Sequence, residues 1–269
     1  MNLLLEDVTF TYPSGVVALR EVSLTIASGE VVALVGENGA GKTTLAKLAN
    51  GLLKPQRGRV LVGESDTRQR SIAQLARHVG YVFQNPDEQL FERTVWAEVA
   101  FGPRNLGHAE AEVRASVEAA LAQVGLAAEA QRHPYDLNAS QRKLVALAAT
   151  LAMNTSALIL DEPTTGQDAG GIALLAELVE GLKKKGRTVV TISHDVDFCM
   201  EHFERAVVMS GGRILADGPV AAILSDAELL ARANVEPPQL VRLAAALGLS
   251  PSPRTPDEFA ALLAAQAGR

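Results

Sequence analysis

The sequence holds a single cysteine, Cys199, among 269 residues, so no intrachain disulfide braces the fold. It also lacks an excess of basic charge. Lysine and arginine number 25 against 31 aspartate and glutamate, a net charge of −6, which excludes an overall basic field drawing the chain to nucleic acid or anionic lipid. The stretch from Met1 to Phe10 carries Glu6 and Asp7 and shows none of the basic, apolar, then small-residue order of a secretory leader. With one thiol and no leader pattern, the expected compartment is the cytosol. A clean hydrophobic run of spanning length is missing too. The longest uncharged stretch, Leu144 to Leu160, is interrupted by Asn154, Thr155 and Ser156, where a bilayer centre penalises polar groups. It reads as a buried helix, a polar turn and a buried strand. A role at a membrane then requires a partner that supplies the spanning helices. There is no internal repeat.

What is present describes a globular chain. With 48% hydrophobic and 21% charged residues it can form one large domain or two lobes sharing a core, which excludes disorder and collagen-like order. Short β-branched runs at Val31 to Val35, Val79 to Phe83, Leu158 to Leu160 and Val189 to Ile192 are apolar on both faces, as parallel strands covered by helices should be. The fold class is therefore α/β with a central, mostly parallel sheet. Ahead of these runs, Val8 to Tyr12 and Val22 to Ile26 alternate apolar and polar residues around a Tyr12-Pro13-Ser14-Gly15 turn, predicting an antiparallel β subdomain. Ala206 to Met209 and Arg213 to Ala216 read as a hairpin.

Between Asp87 and Leu151 the strand signals vanish. Val113, Val117, Ala120, Leu121 and Val124 form one stripe of a helix from Ala111 to Val124, so this region is expected to be an inserted helical subdomain, about 87–151. The main domain is read as 1–219. A tail, 220–269, follows, with helical stretches over Pro219 to Ala233, Gln239 to Leu247 and Asp257 to Gln266 and with Pro251, Pro253 and Pro256 between the last two. It is expected to add contacts, in dimerisation or regulation, rather than chemistry.

Gly36-Glu37-Asn38-Gly39-Ala40-Gly41-Lys42-Thr43 fits the spacing G-x-x-x-x-G-K-[ST] and lies between an apolar strand and the helical run Thr44 to Ala49. Glycines let successive backbone N–H groups turn around phosphate oxygens. Lys42 would reach the β- and γ-phosphates, and Thr43 would offer its hydroxyl to Mg²⁺, with the helix N-terminus favouring the anion. A bare strand-to-helix turn has no use for the lysine and threonine. Further along, Ala157-Leu158-Ile159-Leu160 ends in Asp161-Glu162. Downstream of a phosphate loop, such a pair suits a carboxylate that holds Mg²⁺ through water, Asp161, and an acid that activates the attacking water, Glu162.

Together these motifs identify a resemblance to the ATP-binding subunits of ABC transporters, covering roughly Leu3 to Pro219. The resemblance implies the P-loop ABC ATPase fold, ATP and Mg²⁺ as cofactors, and hydrolysis coupled to transport. It places Tyr12 where the family's aromatic stacks on adenine, and assigns Gly36, Asn38, Gly39, Gly41, Lys42, Thr43 and Thr44 to the nucleotide. Gln84 corresponds to the glutamine that contacts Mg²⁺ and water, Gly166-Gln167-Asp168 to the loop that crosses a dimer interface, and His194 to the switch histidine at the γ-phosphate. His78, His108, His133 and His202 have no such context, and Cys199 reads as a small apolar filler.

Within the family, the segments Tyr81 to Phe91, Val99 to Gly107 and Asp161 to Asp168 are most similar to energy-coupling factor ATPases of cobalt- and vitamin-type importers. This implies a transmembrane coupling subunit, a small membrane substrate-binding subunit and a peripheral position on the cytoplasmic face, with no nucleic acid. Acids such as Asp87 and Glu88 are candidates to meet basic groups of the membrane subunit.

One motif departs from the family. The signature L-S-G-G-Q falls at Leu137-Asn138-Ala139-Ser140-Gln141, where Leu137 and Gln141 alone survive. In a head-to-tail ATP sandwich, Asn138, Ala139, Ser140 and Gln141, with Asp168, would act in trans on the other chain's nucleotide. Ala139 and Ser140 add side-chain atoms where two glycines permit close approach. The expectation is a heterodimer with a related ATPase carrying a full signature, ahead of a homodimer. An exporter subunit and a soluble ABC clamp on nucleic acid or ribosomes are the alternatives; the clamp proteins generally carry two cassettes or a long inserted coil, and this chain has one cassette. A regulatory subunit with little hydrolysis fits poorly with the complete Asp161, Glu162 and His194 set.

Overall fold

A computed structural model describes residues 1–267. The strands are β1 (Leu3–Thr11), β2 (Val17–Ile26), β3 (Val31–Val35), β4 (Arg57–Val62), β5 (Ser65–Asp66), β6 (Val79–Val82), β7 (Ala157–Asp161), β8 (Thr188–Ile192), β9 (Arg205–Ser210) and β10 (Arg213–Pro219). The helices are α1 (Lys42–Ala49), α2 (Ile72–Leu75), α3 (Val95–Asn105), α4 (Glu110–Gln123), α5 (Ala139–Ala152), α6 (Ala169–Lys184), α7 (Val196–His202), α8 (Val220–Ser225), α9 (Ala227–Arg232), α10 (Gln239–Ala246) and α11 (Pro256–Ala267).

Two sheets form. An antiparallel one runs β2-β1-β4-β5, and the central one runs β10-β9-β3-β8-β7-β6, parallel throughout except for the hairpin strand β10. All five residues of β3, β7 and β8 are buried, because the central strands are covered on both faces. Alternation divides them between two cores. Val31, Ala33 and Val35 of β3 join Leu158 and Leu160 of β7 on the side of the helical lobe, while Val32, Leu34, Ala157 and Ile159 face α1 and the antiparallel sheet. Chain segments without strand patterning from 87 to 151 form α3, α4 and α5, with α5 lying against the other two.

The buried run from Leu144 to Leu160 resolves as the end of α5, a turn with Asn154 in the left-handed region at φ 51°, and β7. The tail differs from the sequence expectation at one point. The stretch read as one helical unit from Pro219 to Ala233 breaks at Asp226, whose side chain accepts from Leu229 N at 2.9 Å and caps α9. Val220, Leu224, Leu229, Leu230 and Val241 enter the same core as the main sheet. Arg254 ties the tail to the end of α7 by donating to Met200 O at 3.0 Å and Phe203 O at 2.7 Å.

Candidate active site

The site collects at the C-terminal ends of β3, β6, β7 and β8. After β3 the chain turns through Gly36 and Gly41, with φ of 153° and 102°. A Cβ at Gly36 would lie 2.2 Å from Met209 O, and one at Gly41 2.6 Å from Ala18 O, so neither position admits a side chain. Gly41 precedes the first turn of α1, which points its free backbone N–H groups at the loop. Lys42 is buried, and its Nζ donates to Gly36 O at 2.6 Å and Glu37 O at 2.9 Å. Burial pulls its pKa below the ordinary lysine range, opposed by the nearby Glu162, Asp161 and Glu37.

Thr43 Oγ1 donates to Asp161 Oδ1 at 3.4 Å, joining α1 to the end of β7. The other carboxylate oxygen of Asp161 accepts from Tyr81 Oη at 2.7 Å, across the β6–β7 pairing. Burial first, and then the Asp161 charge, push the Tyr81 phenol far above its usual range, so it stays a donor. Tyr81 is a site residue that sequence reading missed. Its one signal was a hydroxyl on an otherwise apolar strand.

Glu162 is buried and holds a left-handed backbone at φ 51°, uncommon outside glycine and asparagine. Its N–H donates to Ile192 O of β8 at 2.9 Å. His194, two residues beyond that strand, places Nδ1 2.7 Å from Glu162 Oε2, and its backbone N–H donates to the same oxygen at 3.3 Å. The Glu162 carboxylate is thus held from the segment just beyond the neighbouring strand. Lys143 of α5, also absent from the sequence expectations, donates to Glu162 O at 3.0 Å and Thr165 O at 2.6 Å. Burial lowers its pKa, with Glu162 and Asp161 opposing.

Two adjoining clefts frame these groups. The first, about 230 Å³, is lined by Tyr12, Asn38 through Thr44, Gln84 and Glu162, and Tyr12 Oη lies 3.0 Å from Thr44 Oγ1. The second, about 540 Å³, is lined by Gly36, Glu37, Asn38, Gln84, Glu162 and His194 on one side and by tail residues Asn234 to Pro237, Gln239 and Arg242 on the other. Gln84 therefore stands at the junction. The tail reaches the phosphate loop as well, since Asn234 Nδ2 donates to Glu37 Oε2 at 2.6 Å. That proximity was not visible in the sequence.

The structure does not bring Asn138, Ala139, Ser140, Gln141 or Asp168 to these clefts; among the described residues none of the five lines either one. They gather instead at the start of α5 and α6. Asn138 Oδ1 accepts from Gln141 N at 2.9 Å while Gln141 Oε1 accepts from Asn138 N at 3.2 Å, a capping box that keeps the helix start intact without the family serine. Ser140 Oγ donates to Gln167 Oε1 at 2.7 Å, and Asp168 Oδ1 caps α6 by accepting from Gly171 N at 2.8 Å. His78, His108, His133 and His202 line neither cleft, and Cys199 is fully buried.

The Thr43 hydroxyl and Gln84 amide that line the first cleft, with the Asp161 carboxylate bonded to Thr43, suit Mg²⁺, a hard cation usually held by one or two side chains together with phosphate and water. Among the described residues no group of three or more His, Cys, Asp or Glu forms a metal cage. The residues thus fit an ion that arrives with its nucleotide.

A family profile described as ABC transporter matches residues 19–165. The cobalt import ATP-binding protein CbiO of Rhodobacter capsulatus is 41% identical over 268 residues, spanning 96% of each chain. The energy-coupling factor transporter ATP-binding protein EcfA of Methanocaldococcus jannaschii is 39% identical over 240 residues, 88% of this chain and 86% of that one. The solved structure of cbiO1 from Clostridium perfringens, described as part of the ABC transporter complex cbiONQ, superposes with a TM-score of 0.76 at 33% identity over 92% of this chain and 98% of its own. A phosphate loop, a strand-end acid pair and a histidine just beyond the neighbouring strand, in this sheet order, define a P-loop ATPase. This chain belongs to the ABC transporter family as an ATP-binding, ATP-hydrolysing subunit.

Proposed function

We propose that the chain energises a membrane importer of the energy-coupling factor type for a vitamin or a transition metal, working on the cytoplasmic face as a peripheral subunit. The observation that carries this reading is the convergence of Lys42, Thr43 and Glu162 on one cleft, with Asp161 bonded to Thr43 and His194 beside Glu162 in the adjoining cleft, together with relatives named for cobalt import and energy coupling. Tyr12 stacks the adenine, the Gly36–Thr43 loop cradles the phosphates with Lys42, and Thr43, Gln84 and, through water, Asp161 would hold Mg²⁺. The ion, when bound, neutralises charge on the β- and γ-phosphates. Glu162 takes the proton of the attacking water, and His194, whose backbone N–H donates to Glu162, contributes to the γ-phosphate end. Catalysis rests on positioning and charge stabilisation rather than covalent chemistry.

Asn138 to Gln141 and Asp168 lie away from their own chain's clefts, and this supports a head-to-tail sandwich in which they serve the other chain's nucleotide, with a heterodimer favoured because Ala139 and Ser140 replace glycines. No helix among the described residues is long and apolar enough to cross a membrane. In a chain with 4% aromatics, Phe91 and Phe101 stay exposed in an edge-to-face pair at 4.7 Å, close to the exposed Tyr135, whose hydroxyl donates to Leu90 O. Such a patch beside the Gln84 segment suits helices of a transmembrane coupling subunit, itself joined by a small substrate-binding membrane subunit. Asp87 pairs within the chain, 3.2 Å from Arg142, which leaves Glu88 as the freer acid for that contact.

The test is to isolate the tagged chain from native membranes in mild detergent and identify every protein that accompanies it. Integral membrane proteins and a second, non-identical ATPase support the reading. A homodimer with membrane proteins removes the asymmetry and keeps the transporter. Recovery with ribosomes or nucleic acid in the soluble fraction overturns it.

A further inference from the structure

We propose that Lys143 is a positioning residue for the Glu162 carboxylate. The inference rests on Glu162 being the hydrolytic acid. Glu162 leaves the end of β7 with a left-handed φ of 51°, a conformation that an ordinary glutamate adopts only where its surroundings impose it. Three contacts impose it. The Glu162 N–H is held by Ile192 O at 2.9 Å, its side chain by the His194 backbone N–H at 3.3 Å, and its carbonyl by Lys143 Nζ at 3.0 Å. The same ammonium takes Thr165 O at 2.6 Å and so closes the turn from Glu162 to Thr165. Of the three contacts, the lysine is the one supplied by a helix.

Its origin gives the contact a further consequence. Lys143 stands one turn into α5, the helix that begins at the Asn138–Gln141 segment. A second bond joins the same two regions, from Ser140 Oγ to Gln167 Oε1 at 2.7 Å, with Gln167 Nε2 returning to Ser140 O at 3.4 Å. Two clamps three residues apart make the first turn of α5 and the 162–167 segment one mechanical unit. Moving the start of α5 moves the Glu162 backbone, and rotation about a strained residue displaces its carboxylate. Displacements of this kind at a catalytic group change rate with little change in ground-state binding.

The experiment measures ATP affinity, kcat and KM for the purified full chain and for K143M, K143R, E162Q and E162Q/K143M, with thermal unfolding of each. The expected result is a kcat about tenfold to a hundredfold lower in K143M with ATP affinity within about twofold, and substantial recovery in K143R, which keeps two donors on the turn. Because the lysine acts through Glu162, adding K143M to E162Q leaves the residual rate where E162Q put it. A K143M enzyme with normal kcat, or one whose fold-loss repeats in the E162Q background, overturns the inference while leaving Glu162 in place. Rapid turnover by E162Q itself overturns both the acid's role and this inference. If K143M unfolds, K143R decides on the same assays, and a folded K143R as slow as E162Q counts against positioning by the turn contacts.

Discussion

Tyr81 Oη and Asp161 Oδ2, on adjacent parallel strands, form a 2.7 Å hydrogen bond inside the protein while Thr43 Oγ1 approaches the opposite oxygen of the same carboxylate. Asp161 is therefore oriented by groups on both sides. Removing one partner of a buried carboxylate costs about 1.5–3 kcal/mol. Y81F is expected to lower the thermal midpoint and to raise the Mg²⁺ concentration that supports half-maximal ATP hydrolysis, read from a Mg²⁺ titration of the ATPase rate. An unchanged titration would show that the phenol acts on stability alone.

E162Q should retain ATP with hydrolysis nearly abolished, since the amide keeps the shape and cannot take a proton from water. Equilibrium ATP binding and phosphate release, measured side by side, check it. Continued rapid phosphate release removes Glu162 from the chemical step.

Tyr12 separates stacking from hydrogen bonding. Its ring lines the first cleft and its hydroxyl meets Thr44 Oγ1 at 3.0 Å. Y12F is expected to bind ATP nearly as well as the wild type, whereas Y12A loses about 1–3 kcal/mol of affinity, by analogy with base–aromatic stacking. Equal losses in the two variants would assign the role to the hydroxyl.

Restoring the signature with N138S, A139G and S140G in one chain should raise the ATPase rate of the dimer formed with its natural partner, because the glycines reopen close backbone approach. No change in rate in that dimer would show that Asn-Ala-Ser serves as well as the family sequence. The exchange also removes the Ser140 to Gln167 bond, so S140A alone is the control.

Glu98 provides a pH-dependent stability test away from the nucleotide. It is buried, and one carboxylate oxygen accepts from Phe91 N at 2.8 Å and Glu92 N at 2.7 Å. Burial raises its pKa above the ordinary 4.5, partly offset by those two bonds. The folded state thus holds the proton more tightly than the unfolded one, and stability from this group is lost as pH rises through the folded value. E98Q keeps an acceptor without the charge. Its thermal midpoint should stand above the wild type near neutral pH, and the gap should close as pH falls toward 4.5. A gap that is independent of pH refutes the assignment.

The central strands and the phosphate loop were legible in the amino-acid order because their signals are local. Val31 to Val35 is apolar on both faces, and the spacing from Gly36 to Thr43 is meaningful wherever the rest of the chain goes. The absence of strand patterning from 87 to 151 announced the helical lobe in the same way. The break at Asp226 was harder, since a cap competes with a continuous Ala/Leu pattern and its hydrogen bond to Leu229 N decides the outcome. Local order also placed Asp161 and Glu162 at a strand end and His194 after another strand.

Side-chain partnerships across the sheet belong to the folded chain. That Glu162 shares an oxygen with the side chain and backbone of His194 follows from β7 and β8 lying next to each other in parallel register, with Asp161 opposite Ile192. Tyr81 finds Asp161, and Lys143 finds the Glu162 carbonyl, over separations that no periodicity encodes. The tail's approach to Glu37 through Asn234 is of the same kind. A sequence specifies which backbone patterns and chemical groups are available, because propensity and burial act along the chain. Which of those groups meet is settled by strand order and helix packing, where the electrostatics of a site depends on a few ångströms.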